Sequence, residues 1–182
     1  DMNYEAKDDR LSDETFEENF GPANYAFNYG NVHFMVLDDI LYPDPRDGKS
    51  YWGGFREDQL KFIENNLKWV PKDKLIVLAF HIQMMPERDG DGHFRMEDRK
   101  RLFGLLKPFE NVLMMAAHTH KQTQIFYSKG EGWEGAAALH EYNAGTTSGD
   151  WYSGTADAVG VPASVMRDGT YRGYSFFSFK DN

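Results

Sequence analysis

Apolar residues fall along the chain in two kinds of run. Leu75-Ile-Val-Leu-Ala-Phe80 and Val112-Leu-Met-Met-Ala-Ala117 are continuous, without polar alternation, as expected of strands covered on both faces. Elsewhere the spacing is periodic. Leu60, Ile63, Leu67 and Val70 lie on one face of a helix predicted over 57–70, and Leu102, Leu105 and Leu106 mark a second over 97–107, stopped before Pro108. Tyr25–Tyr29 and Val32–Asp38, separated by Gly30-Asn31, read as a β-hairpin, and a short helix signal at Ser12-Asp13-Glu14 ends at Gly21-Pro22. Residues 41–55 form a Pro/Gly loop. Thr123–Tyr127 and Ala137–Asn143 form an antiparallel pair around a glycine-rich loop at 128–136. A Gly/Thr/Ser loop carrying Trp151-Tyr152 follows, and Tyr174–Phe179 alternates as a last strand. There is no internal repeat.

The strand over 75–80, the helix over 97–107 and the strand over 111–117 make a β-α-β unit, which a right-handed crossover joins as parallel strands. Parallel strands end on one edge of the sheet, where ligands of α/β sheets gather. The first ends in His81 and the second in His118-Thr-His120, so the three imidazoles emerge together. With adjacent strands ~4.8 Å apart, His81 and His118 come within reach of one ion.

Composition narrows the chemistry. The 182 residues are most simply one domain, 41% hydrophobic and 27% charged. A net charge of −9 leaves no basic stripe for a nucleic-acid backbone, whereas a small phosphate remains open because a metal supplies local positive charge. Cysteine is absent, so a metal must sit on His, Asp, Glu or Asn, and the compartment stays open. No run reaches transmembrane length. The chain opens on Asp1-Met-Asn-Tyr without an initiator Met and reads as a portion of something longer.

Each histidine also has a plainer reading. A strand-end histidine is commonly solvated, and His-X-His is equally two alternate residues of a continuing strand. His33, beside Gly30-Asn31, is read as a strand residue, and His140 as one side of a hairpin strand. His93, in Arg88-Asp-Gly-Asp-Gly-His, is read as part of a solvated turn, with a lid as the alternative. Asp89 and Asp91 lack the glutamate that would complete a calcium loop.

Phe80-His81 after one strand and Ala117-His118-Thr119-His120 after the next resemble the later half of a calcineurin-like metallophosphoesterase, which carries a strand-end His and then Gly-His-X-His. Tyr25-Ala-Phe-Asn-Tyr-Gly, the strand ending in Leu37-Asp38-Asp39, and Gln59-Leu60 in the following helix are similar too. The resemblance covers roughly residues 20–127, with Ala117 where the family usually has Gly. It implies an α/β fold, a layered β-sandwich flanked by helices, of which residues 1–182 are the C-terminal portion of one catalytic domain. It further implies hydrolysis of a small-molecule phosphate ester by two divalent or trivalent ions (Zn, Fe or Mn) ~3.5–4 Å apart, which neutralise charge during in-line attack on phosphorus. His81 and His118 would ligate one ion and His120 the other, while Thr146, Trp151 and Tyr152 would form the substrate rim. Aromatic packing into the core is the other reading of that loop.

The family's earlier motifs, Asp-X-His, Gly-Asp-X-X-X-Asp and Gly-Asn-His-Asp/Glu, do not occur ahead of His81 in this chain. Asp1 fits the last position of such a Gly-Asn-His-Asp motif, where it would orient the histidine that protonates the leaving group; a plain acidic terminus is the alternative. The missing N-terminal segment of the same protein is then the expected partner, and this segment alone is expected to be inactive and without its own full metal set. Two other classes remain. An amidohydrolase places His-X-His early in a barrel that needs far more chain. A noncatalytic carbohydrate- or ligand-binding module would use Trp133, Trp151 and Tyr152.

Overall fold

A computed structural model of the chain describes residues 5–85 and 92–180. Asp1, Asp89 and Asp91 lie outside the described residues. The elements run α1 (Glu14–Phe20), β1 (Tyr25–Tyr29), β2 (Val32–Val36), β3 (Ile40–Leu41), β4 (Trp52–Gly53), α2 (Glu57–Leu67), β5 (Leu75–Ala79), α3 (Met96–Leu106), β6 (Val112–Ala116), β7 (Gln122–Tyr127) and β8 (Leu139–Ala144). Among the described residues eight segments form two sheets: a six-stranded one in the order β1-β2-β5-β6-β8-β7 and the small pair β3-β4. β2, β5, β6 and β8 are parallel, and antiparallel β1 and β7 close the edges.

The parallel pairing of β5 with β6 is as the two apolar runs predict, with Ile76 opposite Val112 and Ala79 opposite Met115. The ladder continues past the strands. Phe80 N donates to Met115 O (3.1 Å) and Ala117 N to His81 O (3.0 Å), so the residues that leave the sheet next are His81 and His118, side by side.

The two-residue period of the register divides the sheet into faces. His33 and Met35, Ile76 and Leu78, Met114, and Glu141 share one face, under α2 and α3. Its core residues Leu60, Ile63, Leu78, Leu102, Leu106 and Met114 are at most 1% exposed, and burial of each such side chain contributes ~1.5–3 kcal/mol. α2 starts where Gln59 Oε1 accepts from Arg56 N (2.6 Å), with Glu57 and Asp58 in its first turn at the positive end of the helix dipole. α3 is tied down by Asp98, which accepts from Phe55 N (2.8 Å) and Arg95 Nε (2.6 Å).

The opposite face is also apolar. Tyr25, Phe27 and Tyr29 of β1 are exposed there, as is Phe126 of β7, while Phe34, Leu113, Met115 and Tyr142 are half-buried. Tyr174–Phe179, expected as a strand, is not one. Its Phe179 ring meets Phe34 edge-on (5.9 Å between centroids) and Phe177 meets Tyr142 (5.2 Å). The segment thus lies across the sheet, touching β2 and β8, where no free strand edge is offered to it. Its alternation reports side-chain contact with a face, not a ladder. A hollow of ~310 Å3 remains between it and Tyr29, Val32 and Phe34.

Candidate metal centre

The carboxyl edge of β5 and β6 carries the chemistry. His118 Nδ1 lies 3.1 Å from His81 Nε2, with the rings 5.0 Å apart and nearly perpendicular. The chain reaches this geometry by leaving regular structure abruptly: Thr119 N donates to Ala117 O (2.8 Å), and His118 and His120 adopt φ of 68° and 57°. Such left-handed backbone is uncommon outside glycine and costs of order 1–3 kcal/mol per residue. Ala117 is not among the left-handed residues, so alanine where the family has glycine does not strain the turn. Thr119, between the histidines, faces inward at 6% exposure. There its Oγ1 accepts from Asn143 Nδ2 (3.0 Å), and the same amide donates to Gln83 Oε1 (2.5 Å). His118-Thr-His120 is therefore a turn pinned at its middle, not a continuing strand.

His81 is exposed to solvent at this edge, and the desolvation it does feel lowers its pKa, with the His120 charge adding to the effect. Burial, then His81, His93, His120 and Arg167, push His118 down to about 4. Both imidazoles are neutral at pH 7, the form that binds metals. His120 is turned elsewhere. It is 8% exposed, packs on Trp151 (4.7 Å between centroids), and holds Nδ1 3.5 Å from Asp150 Oδ1, too far for a hydrogen bond. Arg167 Nε donates to the same carboxylate oxygen (2.9 Å).

The expected rim residues do not all face this site. Thr146 Oγ1 pairs with Ser148 Oγ (2.9 Å), and Tyr152 sits under the Arg172 guanidinium (5.1 Å). Trp151, 71% exposed, is the rim aromatic in contact with a site histidine. Trp133, an anchor of the carbohydrate-binding alternative, is 4% exposed and donates to Ala137 O (2.6 Å), so it belongs to the core. His33 accepts the role read for it, buried in β2 between Asn28 (3.0 Å) and Asn66 (2.6 Å). His140 stacks on Phe126 (4.6 Å).

Three further residues shape this edge. Asp39, fully buried, accepts from His81 N (2.9 Å) and from Ile82 N (2.9 Å) and so fixes the turn that presents His81; burial pushes its pKa well above the usual carboxylate range. Its position is recoverable from topology, since β2 is also parallel to β5 and ends on the same edge. Tyr51 and His93 meet the His118 ring edge-on at 6.0 and 5.6 Å. His93 thus departs from the solvated turn expected of it.

The pair at 3.1 Å suits a shared ion. Two nitrogens each ~2.0–2.1 Å from one zinc at a tetrahedral angle stand roughly 3.4 Å apart. Among the described residues, however, no group of three or more His, Asp or Glu is arranged to hold a metal. The histidines fit as part of a ligand set.

Residues 141–182 match the family model described as the C terminal of calcineurin-like phosphoesterase. Similarity to the calcineurin-like phosphoesterases is thereby shown over residues 141–182. The matched region begins at Glu141 on β8, beyond the strands and histidines that carry the motif resemblance, so the two lines of similarity occupy different parts of the chain. The mixed six-stranded sheet with its helices is consistent with the C-terminal half of a calcineurin-like fold, and the similarity suggests a hydrolase of the phosphoesterase type. No curated protein matches the chain. No helix among the described residues is long and apolar enough to cross a membrane.

Proposed function

We propose that the protein hydrolyses phosphate esters at a two-metal site, to which this chain contributes the C-terminal portion of a single catalytic domain. The observation that carries the reading is the His118 Nδ1 to His81 Nε2 approach at 3.1 Å, between imidazoles kept neutral by burial. His81 and His118 would hold one cation and His120 the other. Bound cations of the Zn, Fe or Mn type supply neutralisation of charge on the phosphoryl group and an acidified water.

The chain's own residues do the positioning. Asp39 holds the His81 turn through two backbone amides. Thr119, Asn143 and Gln83 lock the turn between His118 and His120. Asp150, shared with Arg167, stands beside His120 Nδ1 and would orient that ring once the other nitrogen is engaged. Trp151 covers His120 and offers an exposed ring for an organic leaving group. Remaining ligands and the general acid would come from the N-terminal segment, with Asp1 closing the motif that supplies the acid. The apolar outer face of the six-stranded sheet supports such a further layer, since continuous apolar strands call for cover on both sides.

A longer chain that includes the upstream residues should hydrolyse an aryl phosphate in a metal-dependent way, and His118→Ala should lower that rate by at least ~100-fold while leaving the fold intact. Full activity after chelation would contradict the reading. The 182-residue chain alone should show no turnover above a His81→Ala control.

A further inference from the structure

Residues 9–20 are attached to the rest of the chain with little help from the core. They comprise one 3-10 turn (Asp9–Leu11) and α1, and neither element contains a buried residue. Phe20 is 79% exposed, and its ring packs on Phe16 of the same helix (5.2 Å between centroids). The contacts that fasten this segment are made by carboxyl groups. Asp9 Oδ1 accepts from Tyr42 N and Asp9 Oδ2 from Arg56 Nη1, both at 2.5 Å. Asp13 stands at the N-cap of α1, where an aspartate ordinarily accepts from the first turn of its own helix. It makes no such bond. Its carboxyl is instead hydrogen-bonded with that of Asp38, just beyond β2.

Two ionised carboxylates cannot hydrogen-bond to each other, because neither has a donor, so the pair needs one proton between them. The surroundings favour keeping it. One guanidinium, that of Arg56, serves Asp9 (2.5 Å), Asp58 (3.3 Å) and Asp38 (3.9 Å) at once. The further hydrogen bonds of Asp38 are to uncharged groups: its Oδ1 accepts from Ile40 N (3.1 Å), its N donates to Asn24 Oδ1 (3.1 Å), and its O accepts from Gln59 Nε2 (2.8 Å). The adjacent acid, Asp39, is fully buried. Burial of Asp38 and then the Asp13 charge push its pKa up to about 7, with Asp9 adding to the effect and the Ile40 amide and Arg56 opposing it. Burial and the Asp9 charge raise Asp13 as well.

We propose that Asp13 and Asp38, sharing one proton, form a pH-operated latch that fastens residues 9–20 to the end of β2 and releases them as the proton is lost. The latch stands one residue from Asp39, whose carboxyl holds the amides of His81 and Ile82, and it is independent of the phosphoesterase reading. Asp38 titrates near 3.8 when released into water and at about 7 when docked. The docked state therefore has its full advantage below 3.8 and loses it as pH rises to about 7, by up to ~tenfold in the opening equilibrium per pH unit. Undocking melts α1, because a helix of seven residues is not stable alone in water.

Hydrogen exchange of the 182-residue chain tests this at the amides of Glu17 and Gly21, which donate to Asp13 O (2.9 Å) and Glu17 O (3.0 Å) inside α1. Protection is expressed relative to an unstructured peptide of the same sequence at the same pH. In the wild type it should fall roughly ten- to a hundredfold between pH 5 and pH 8. Asp38→Asn keeps an N–H donor toward the Asp13 carboxylate at every pH, so its protection should change less than about twofold over the same range. Asp13→Ala, at a half-buried position, removes the pair and should leave α1 weakly protected at both pH values. Equal wild-type protection at pH 5 and pH 8 overturns the latch. So does a fall in Asp38→Asn as large as that in the wild type, or protection in Asp13→Ala that matches the wild type at pH 5.

Discussion

His81 and Asp39 show how one buried group decides where a functional side chain points. Two backbone amides, those of His81 and Ile82, end on the Asp39 carboxyl in a fully buried position. Asp39→Ala would leave both donors unpaired at ~1–3 kcal/mol each. We expect a loss of roughly 2–5 kcal/mol in urea unfolding, with a smaller loss for Asp39→Asn, whose carbonyl still accepts. Equal stability of Asp39→Ala and wild type would remove this residue from the account. The sequence signalled the histidines because they follow recognisable apolar runs. Asp39 was legible as the end of the family-like Leu37-Asp38-Asp39, but its hold on the His81 turn was not, because β2, read as half of a hairpin, is also the parallel neighbour of β5, and that pairing brings its end to the same edge. His93 was concealed for a different reason: its placement depends on a backbone contact with Gly53, 40 positions away, which no local pattern records.

At the scale of elements, Glu141 joins β8 to its surroundings. Its Oε2 accepts from Tyr127 Oη (2.9 Å) on β7 and from Met84 N (3.1 Å) beyond β5, while Oε1 is buried without a partner. Burial pushes its pKa up to about 7, against ~4.3 for an unperturbed glutamate. A carboxyl whose folded pKa is raised contributes its full stability below the unfolded value, and that contribution is lost as pH rises through the folded one. Between pH 4.5 and 7 the folded chain therefore holds a proton that the unfolded chain has released. Glu141→Gln cannot titrate, so its stability relative to wild type should rise from pH 5 to pH 8 by on the order of 2–3 kcal/mol. Denaturant melts of both proteins at the two pH values check this, and a constant difference would contradict it. The β-α-β unit itself was legible, because continuous apolar runs flanking an amphipathic helix leave little choice of topology. The final segment was not, since Tyr174–Phe179 alternates equally well whether it pairs along an edge or lies across a face, and only the positions of Phe34 and Tyr142 distinguish the two.

Over the whole molecule, one sheet organises the site. Three neighbouring parallel strands deliver Asp39, His81 and His118 to a single edge, and α2 and α3 fill the face beneath. The opposite face, with Phe27, Phe34 and Tyr142 only partly covered, is where a further layer would bring the ligands that the described residues lack. The two-metal reading requires that His81 and His118 hold one ion between them. The most direct measurement is the zinc stoichiometry of the longer chain and of its His81→Ala/His118→Ala variant, with X-ray absorption reporting the ligands. The wild-type chain should hold two ions with imidazole nitrogens at ~2.0–2.1 Å, and the variant one ion with fewer imidazole ligands. Two ions with an unchanged imidazole shell in the variant would contradict it.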